Sequence, residues 1–103
     1  MNLATYAKRL AALGHEHRLE IFQLLVQAGD DGITVGELQA ISGRPASTLA
    51  FHLRELVASG LVTQQKEGRM VRCHANYQAL DEVLQFVKQD CCKGVALPVF
   101  DAE

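Results

Sequence analysis

Cys91 and Cys92 stand side by side in "KQDCCKG" (88–94), and they are two of only three cysteines in the chain. Neighbouring Cα atoms lie about 3.8 Å apart, inside the roughly 4.4–6.8 Å span of an unstrained disulfide, so the pair is a poor bridge. Two thiols on one turn can instead clamp a soft, thiophilic centre. A centre with two exchangeable positions fits a dithiol, whereas one that prefers three sulfurs wants a third ligand. Cys73 is the candidate for that place. The alternation across 70–75, however, turns Val71, Cys73 and Ala75 inward and Met70, Arg72 and His74 outward, which favours a structural Cys73. Zn²⁺ needs two further ligands and usually uses spaced cysteines. His15 and His17 flank a helix start and are a second place for zinc, although polar residues are common at such starts. Asp30 and Asp31 read as turn residues.

Thiol catalysis fits poorly. The pair sits at the expected C-terminal end of a helix, where the dipole opposes a thiolate, and Asp90 adds repulsion that Lys88 and Lys93 only partly offset. There is no Cys-x-x-Cys and no Gly-rich phosphate loop, and 103 residues leave little room for a substrate pocket. The expectation is a protein that is not an enzyme.

A second group of residues suits nucleic acid. Ser47, Phe51 and Arg54 fall at i, i+4 and i+7 of one helix, with Thr48, Ala50 and His52 beside them. Hydroxyls reach base edges or phosphates, small Ala50 permits close approach, Phe51 can press on a thymine methyl, and Arg54 can contact phosphate or guanine. Lys66, Arg69 and Arg72 lie in a hairpin nearby and are suited to phosphates or the minor groove. The whole chain carries a net charge of −2, which alone argues against nucleic-acid binding. The distribution argues the other way. Residues 33–76 hold five basic residues against three acidic, and the remainder five against nine.

These side chains need elements to hold them. Leu3, Ala7, Leu10 and Ala11 recur at helical spacing up to Gly14. A second helix is expected from about His17 to Ala28, with Leu19, Phe22, Leu25 and Val26 inward and Ile21 and Leu24 flanking. "GDDG" (29–32) breaks it. Thr34-Val35-Gly36-Glu37 fits a capping box and opens a short third helix to about Ser42. After Gly43 and Pro45 a fourth helix runs to about Ser59, burying Leu49, Leu53, Leu56 and Val57. "LVTQQKEGRMVRCHA" reads as strand, turn, strand, with its tip at Glu67-Gly68. Asn76 caps a last helix from Tyr77 to about Cys92, with Leu80, Val83, Leu84 and Val87 on one side and Cys91 continuing that stripe.

The expected fold is mainly α (α+β), a winged helix-turn-helix in the order α-α-α-α-β-β-α. Residues 1–93 form one domain and 94–103 a flexible tail. The first and last helices keep apolar stripes that a homodimer through them would bury. The N-terminus carries Lys8 and Arg9 inside its apolar pattern, unlike a signal peptide, and no apolar run approaches membrane-spanning length. An odd cysteine count without secretory context points to reduced thiols in the cytoplasm, with no membrane partner.

Three segments carry a family resemblance. "ALGHEHRLEIFQLL" (12–25) resembles the second-helix signature of the ArsR/SmtB metal-responsive repressors, "STLAFHLRELVASGLV" (47–62) their recognition helix and following strand, and "EGRMVRCHAN" (67–76) their wing. The resemblance covers about residues 5–90. It implies a homodimeric repressor that binds a palindromic double-stranded operator and leaves it when an inducer binds. The E-L-C-x-C thiolate motif of many arsenic and lead sensors is absent, the segment reading Glu37-Leu38-Gln39-Ala40-Ile41. Asp81 matches the first ligand of the zinc sensors' last-helix set, but 77–92 contains no histidine. The resemblance therefore directs sensing to Cys91 and Cys92, since some members with such a terminal pair respond to trivalent arsenic. The expected inducer is a trivalent arsenical or antimonial (arsenite, antimonite or methylarsenite), with no permanent cofactor. A thiol-redox, persulfide- or zinc-sensing repressor of the same fold is the alternative.

Overall fold

The computed structural model describes residues 2–99. Asn2 caps α1 (Leu3–Leu13), its side chain accepting from the Thr5 amide at 3.0 Å. His15 caps α2 (Glu16–Ala28) through the His17 amide. Thr34 and Glu37 cap α3 (Val35–Ser42) reciprocally: the Thr34 hydroxyl accepts from the Glu37 amide at 3.1 Å, and the Glu37 carboxylate from the Thr34 amide at 2.9 Å. These bonds draw the Glu37 carboxyl below its ordinary pKa, the Thr34 backbone bond being the largest cause. Gly43 ends α3 in the left-handed conformation, at φ 67°, which glycine adopts without strain. α4 follows as Ala46–Ala58, with Pro45 at its cap position.

The expected hairpin is present as β2 (Val62–Glu67) and β3 (Met70–Ala75), in antiparallel register from Val62 opposite Ala75 to Glu67 opposite Met70. The sequence reading missed a third strand. β1 (Ile33–Thr34) pairs with the far side of β3, giving the order β1-β3-β2. Two residues are too short to display a period of two. Gly32 makes that pairing possible, because a Cβ there would lie 2.5 Å from the Cys73 carbonyl oxygen and 2.7 Å from the His74 ring.

Ile21, Phe22 and Leu25 of α2 and Leu38 of α3 meet Leu49, Leu53 and Leu56 of α4 in one core, closed by Leu61, Val62, Cys73 and Ala75. α2 packs against α1, α4 and β3. Its buried stripe is therefore centred on Ile21, Phe22 and Leu25, and Leu19 and Val26, expected inside, are exposed. Val57 is likewise exposed.

α5 (Tyr77–Lys88) is capped by Asn76 and packs on α1. Tyr6 and Phe86 stack with centroids 4.2 Å apart. Buried Arg9 donates to the Ala79 carbonyl at 2.9 Å and to Glu82 at 3.2 Å. Leu3, Leu10, Leu84 and Val87 remain exposed on these two helices. The expected extension of α5 to Cys92 is corrected: the helix ends at Lys88, and Gln89 turns extended. Asp, two Cys and Gly are poor helix formers with no packing to hold them. Residues 94–99 are exposed and without regular structure, and the rest of the expected tail, 100–103, lies outside the described residues. Among the described residues no helix is long and apolar enough to cross a membrane.

Candidate nucleic-acid interface and thiol site

The outer face of α4 follows from its inner one. Leu49, His52, Leu53 and Leu56 are buried, so Ser47, Ala50, Phe51 and Arg54 are turned outward and exposed, with Thr48 half-buried. Phe51 keeps 48% of its surface accessible, so it does not pack beneath the hairpin. Beside it, Val35, Ala50, Leu53, Arg54, Val57 and Gln64 line a shallow hollow of about 350 Å³ between α4 and the wing. Lys66 and Arg69 are exposed at the wing.

Two of the residues grouped with this surface stand elsewhere. His52 is 4% exposed. It follows Leu49 by three positions, so it shares the buried stripe. Its ring faces the start of α2, 4.8 Å from that of His15 and 5.6 Å from that of His17. Burial, first, and then electrostatic repulsion from His15, Arg18, His17 and Arg44 lower its pKa. Arg72 is half-buried and engaged: its Nε donates to both Glu67 carboxylate oxygens at 3.0 Å, and its Nη1 to the Asp31 carbonyl at 3.0 Å. The guanidinium ties the wing to the turn before β1. Asp30 and Asp31 serve as turn residues, their carbonyls meeting His74 and Arg72.

Cys91 and Cys92 lie past α5 in a turn, both exposed, with their sulfurs 2.8 Å apart. Asp90 and Cys92 are left-handed, at φ 57° and 67°, a conformation that costs a non-glycine residue about 1 kcal/mol or more. The turn is held by the Cys91 amide on the Lys88 carbonyl at 3.1 Å and by the Lys93 ammonium on Asp90 at 2.9 Å. Sharing a hydrogen bond with Cys92 raises the Cys91 pKa. Cys73 is fully buried opposite Ile33 and Gln64 in the sheet. Burial raises its pKa, and the Gln64 amide, 3.5 Å from its sulfur, opposes that rise. Cys73 thus belongs to the core, apart from the exposed pair. His15, His17 and His52 bring their ligand atoms within 4.8 Å of one another. The sequence reading named the first two and placed the third on the DNA side.

Residues 13–65 match the family described as Helix-turn-helix domain. The chain is similar to a Halobacterium salinarum protein named as an arsenical resistance operon repressor, 38% identical over 66 residues, which are 64% of this chain and 55% of that one. The match spans about half of that relative's length. An ArsR-like transcriptional regulator from Rhodococcus sp. RHA1 superposes with a TM-score of 0.74 at 30% identity, covering 84% of this chain and 78% of the other. A solved regulator named for arsenical resistance superposes with a TM-score of 0.69, also at 30% identity, covering 79% and 81%. Helix order, wing and similarity agree, and the chain belongs to the ArsR-type family of winged helix-turn-helix transcriptional regulators.

Proposed function

We propose that this chain is a DNA-binding repressor that leaves its operator when a trivalent arsenical bridges Cys91 and Cys92. A homodimer through α1 and α5 presents two α4 helices about 34 Å apart to successive major grooves of a palindrome. Ser47, Thr48, Ala50, Phe51 and Arg54 face the bases, and Lys66 and Arg69 hold phosphates. The observation that carries the sensing assignment is the exposed pair of sulfurs 2.8 Å apart, just past the helix that carries unburied Leu84 and Val87. A dithiol there serves a soft centre with two exchangeable positions, such as a monosubstituted arsenical, without drawing Cys73 from the core. The names of the similar arsenical-resistance proteins support the inducer class. Bridging reshapes the turn that follows α5, and α5 passes the change to the dimer. About 1–3 kcal/mol of coupling is enough for a several-fold to hundredfold loss of affinity.

The test is fluorescence anisotropy on an operator duplex with arsenite, a monosubstituted arsenical, Zn²⁺ or peroxide added. Cys91→Ser and Cys92→Ser each abolish release by the arsenicals, and Cys73→Ser retains it. Retained response in both vicinal variants refutes the sensing assignment. Release by peroxide alone assigns the pair to redox sensing instead.

A further inference from the structure

We propose that His15, His17 and His52 form a binding site for a divalent transition-metal ion, Zn²⁺ or a close neighbour, that joins the start of α2 to α4. The three imidazoles come from two elements, and their ligand atoms all lie within 4.8 Å of one another. Zinc–nitrogen bonds of about 2.0–2.1 Å in tetrahedral array set nitrogens about 3.3 Å apart. The gap to be closed is thus about 1.5 Å at most. His15 is exposed and His17 half-buried at a helix start, so both rings can swing by rotation about their own side-chain bonds. His52 is the buried, fixed member, and α4 sets its place.

Nitrogen ligands of this kind suit zinc, copper, nickel and cobalt rather than calcium or magnesium. Three protein ligands leave one position open to water, as in zinc sites that exchange or react. An imidazole that binds the ion through Nε2 carries its proton on Nδ1, which can then no longer accept. In that mode His15 Nδ1 releases the His17 amide, and His52 Nδ1 no longer accepts from the Arg18 guanidinium 3.4 Å away. The first group lies at the helix surface, where water replaces the partner. Arg18 keeps its 2.8 Å bond to the Ala12 carbonyl. The ion sits between the start of α2 and α4, apart from the exposed dithiol on the turn after α5. The site is independent of the arsenical reading, and both are open to occupation in one molecule.

The test uses the full chain as Cys91→Ser/Cys92→Ser, which removes the competing exposed thiols. Co²⁺ is titrated into chelator-treated protein and followed by visible absorption, and Zn²⁺ by competition with a chromophoric chelator. The expected result is one ion per chain, a visible spectrum of low-symmetry nitrogen and oxygen coordination, and no near-ultraviolet thiolate band. His15→Asn keeps a helix cap and removes a ligand, and His17→Ala removes another. Each weakens binding by roughly a hundredfold or more, beyond the 10–100-fold that loss of an outer-shell partner costs. His74→Ala, on the wing, leaves binding unchanged. Unchanged affinity in both His15→Asn and His17→Ala, equal loss in His74→Ala, or no saturable binding at all overturns the site.

Discussion

Arg72 and Glu67 are joined across the turn of the wing, the Arg72 Nε lying 3.0 Å from both carboxylate oxygens. The same guanidinium reaches the Asp31 carbonyl, so its charge is spent inside the protein. Arg69 and Lys66 are free of such ties among the described side chains. On a logarithmic plot of operator affinity against salt, Lys66→Ala and Arg69→Ala should each reduce the slope by about 1. Arg72→Ala should leave the slope nearly unchanged and lower the melting temperature, a pattern that anisotropy and thermal unfolding separate.

Phe51 and Leu53 lie two positions apart on α4 and answer to different demands. Phe51→Ala removes an exposed ring, so stability should move by no more than about 0.5 kcal/mol, while operator affinity falls about tenfold, worth about 1.4 kcal/mol. Leu53→Ala empties a core position and should cost about 2–5 kcal/mol of stability. Denaturant unfolding and DNA titration on the two variants check both halves. Equal affinity for Phe51→Ala and the parent removes Phe51 from the interface.

The faces of α1 and α5 carry a separate expectation. Leu84 and Val87 are 49% and 59% exposed, so burying the part still open contributes about 1 kcal/mol each, roughly half of what full burial of such a side chain gives. Leu84→Glu/Val87→Glu should convert a dimer to monomers in sedimentation velocity and weaken operator binding with it. A monomeric parent chain at micromolar concentration removes this interface from the proposed mechanism.

His52 makes stability depend on pH. Its pKa is lowered in the folded state, chiefly by burial, so the unfolded chain binds the proton more readily. Stability is then fully present above the unfolded value near 6.5 and is lost as pH falls through it. In chelator, the melting temperature should drop between pH 7 and pH 5 more steeply for the parent than for His52→Gln. His15, His17 and Arg18 stand beside the ring, and these three together with Arg44 oppose its protonation electrostatically. Identical pH profiles for the two proteins exclude His52 as the source.

The amino-acid sequence by itself determined the elements whose signals are local. The Thr34–Glu37 capping box, the break at Gly43, the Leu49, Leu53 and Leu56 stripe and the strand-turn-strand of the wing each depend on residues a few positions apart, and all appear in the structure, the wing turn falling one residue further on, at Gly68-Arg69, with Glu67 paired to Met70. Burial of Cys73 was legible too, because alternation along a strand assigns faces without knowledge of the neighbours.

Tertiary packing decided the rest. Nothing local shows that Arg72 meets Asp31, or that a two-residue strand adds to the far side of β3, since both contacts join segments about 40 residues apart. Helical spacing admits His52 to either edge of the buried stripe, and only the docking of α4 on the start of α2 turns it inward to His15 and His17. α5 stops at Lys88 because no packed surface continues beneath Cys91 and Cys92. A helix persists where burial offsets the entropy of ordering it, and that balance is set by what lies opposite, not by the residues alone.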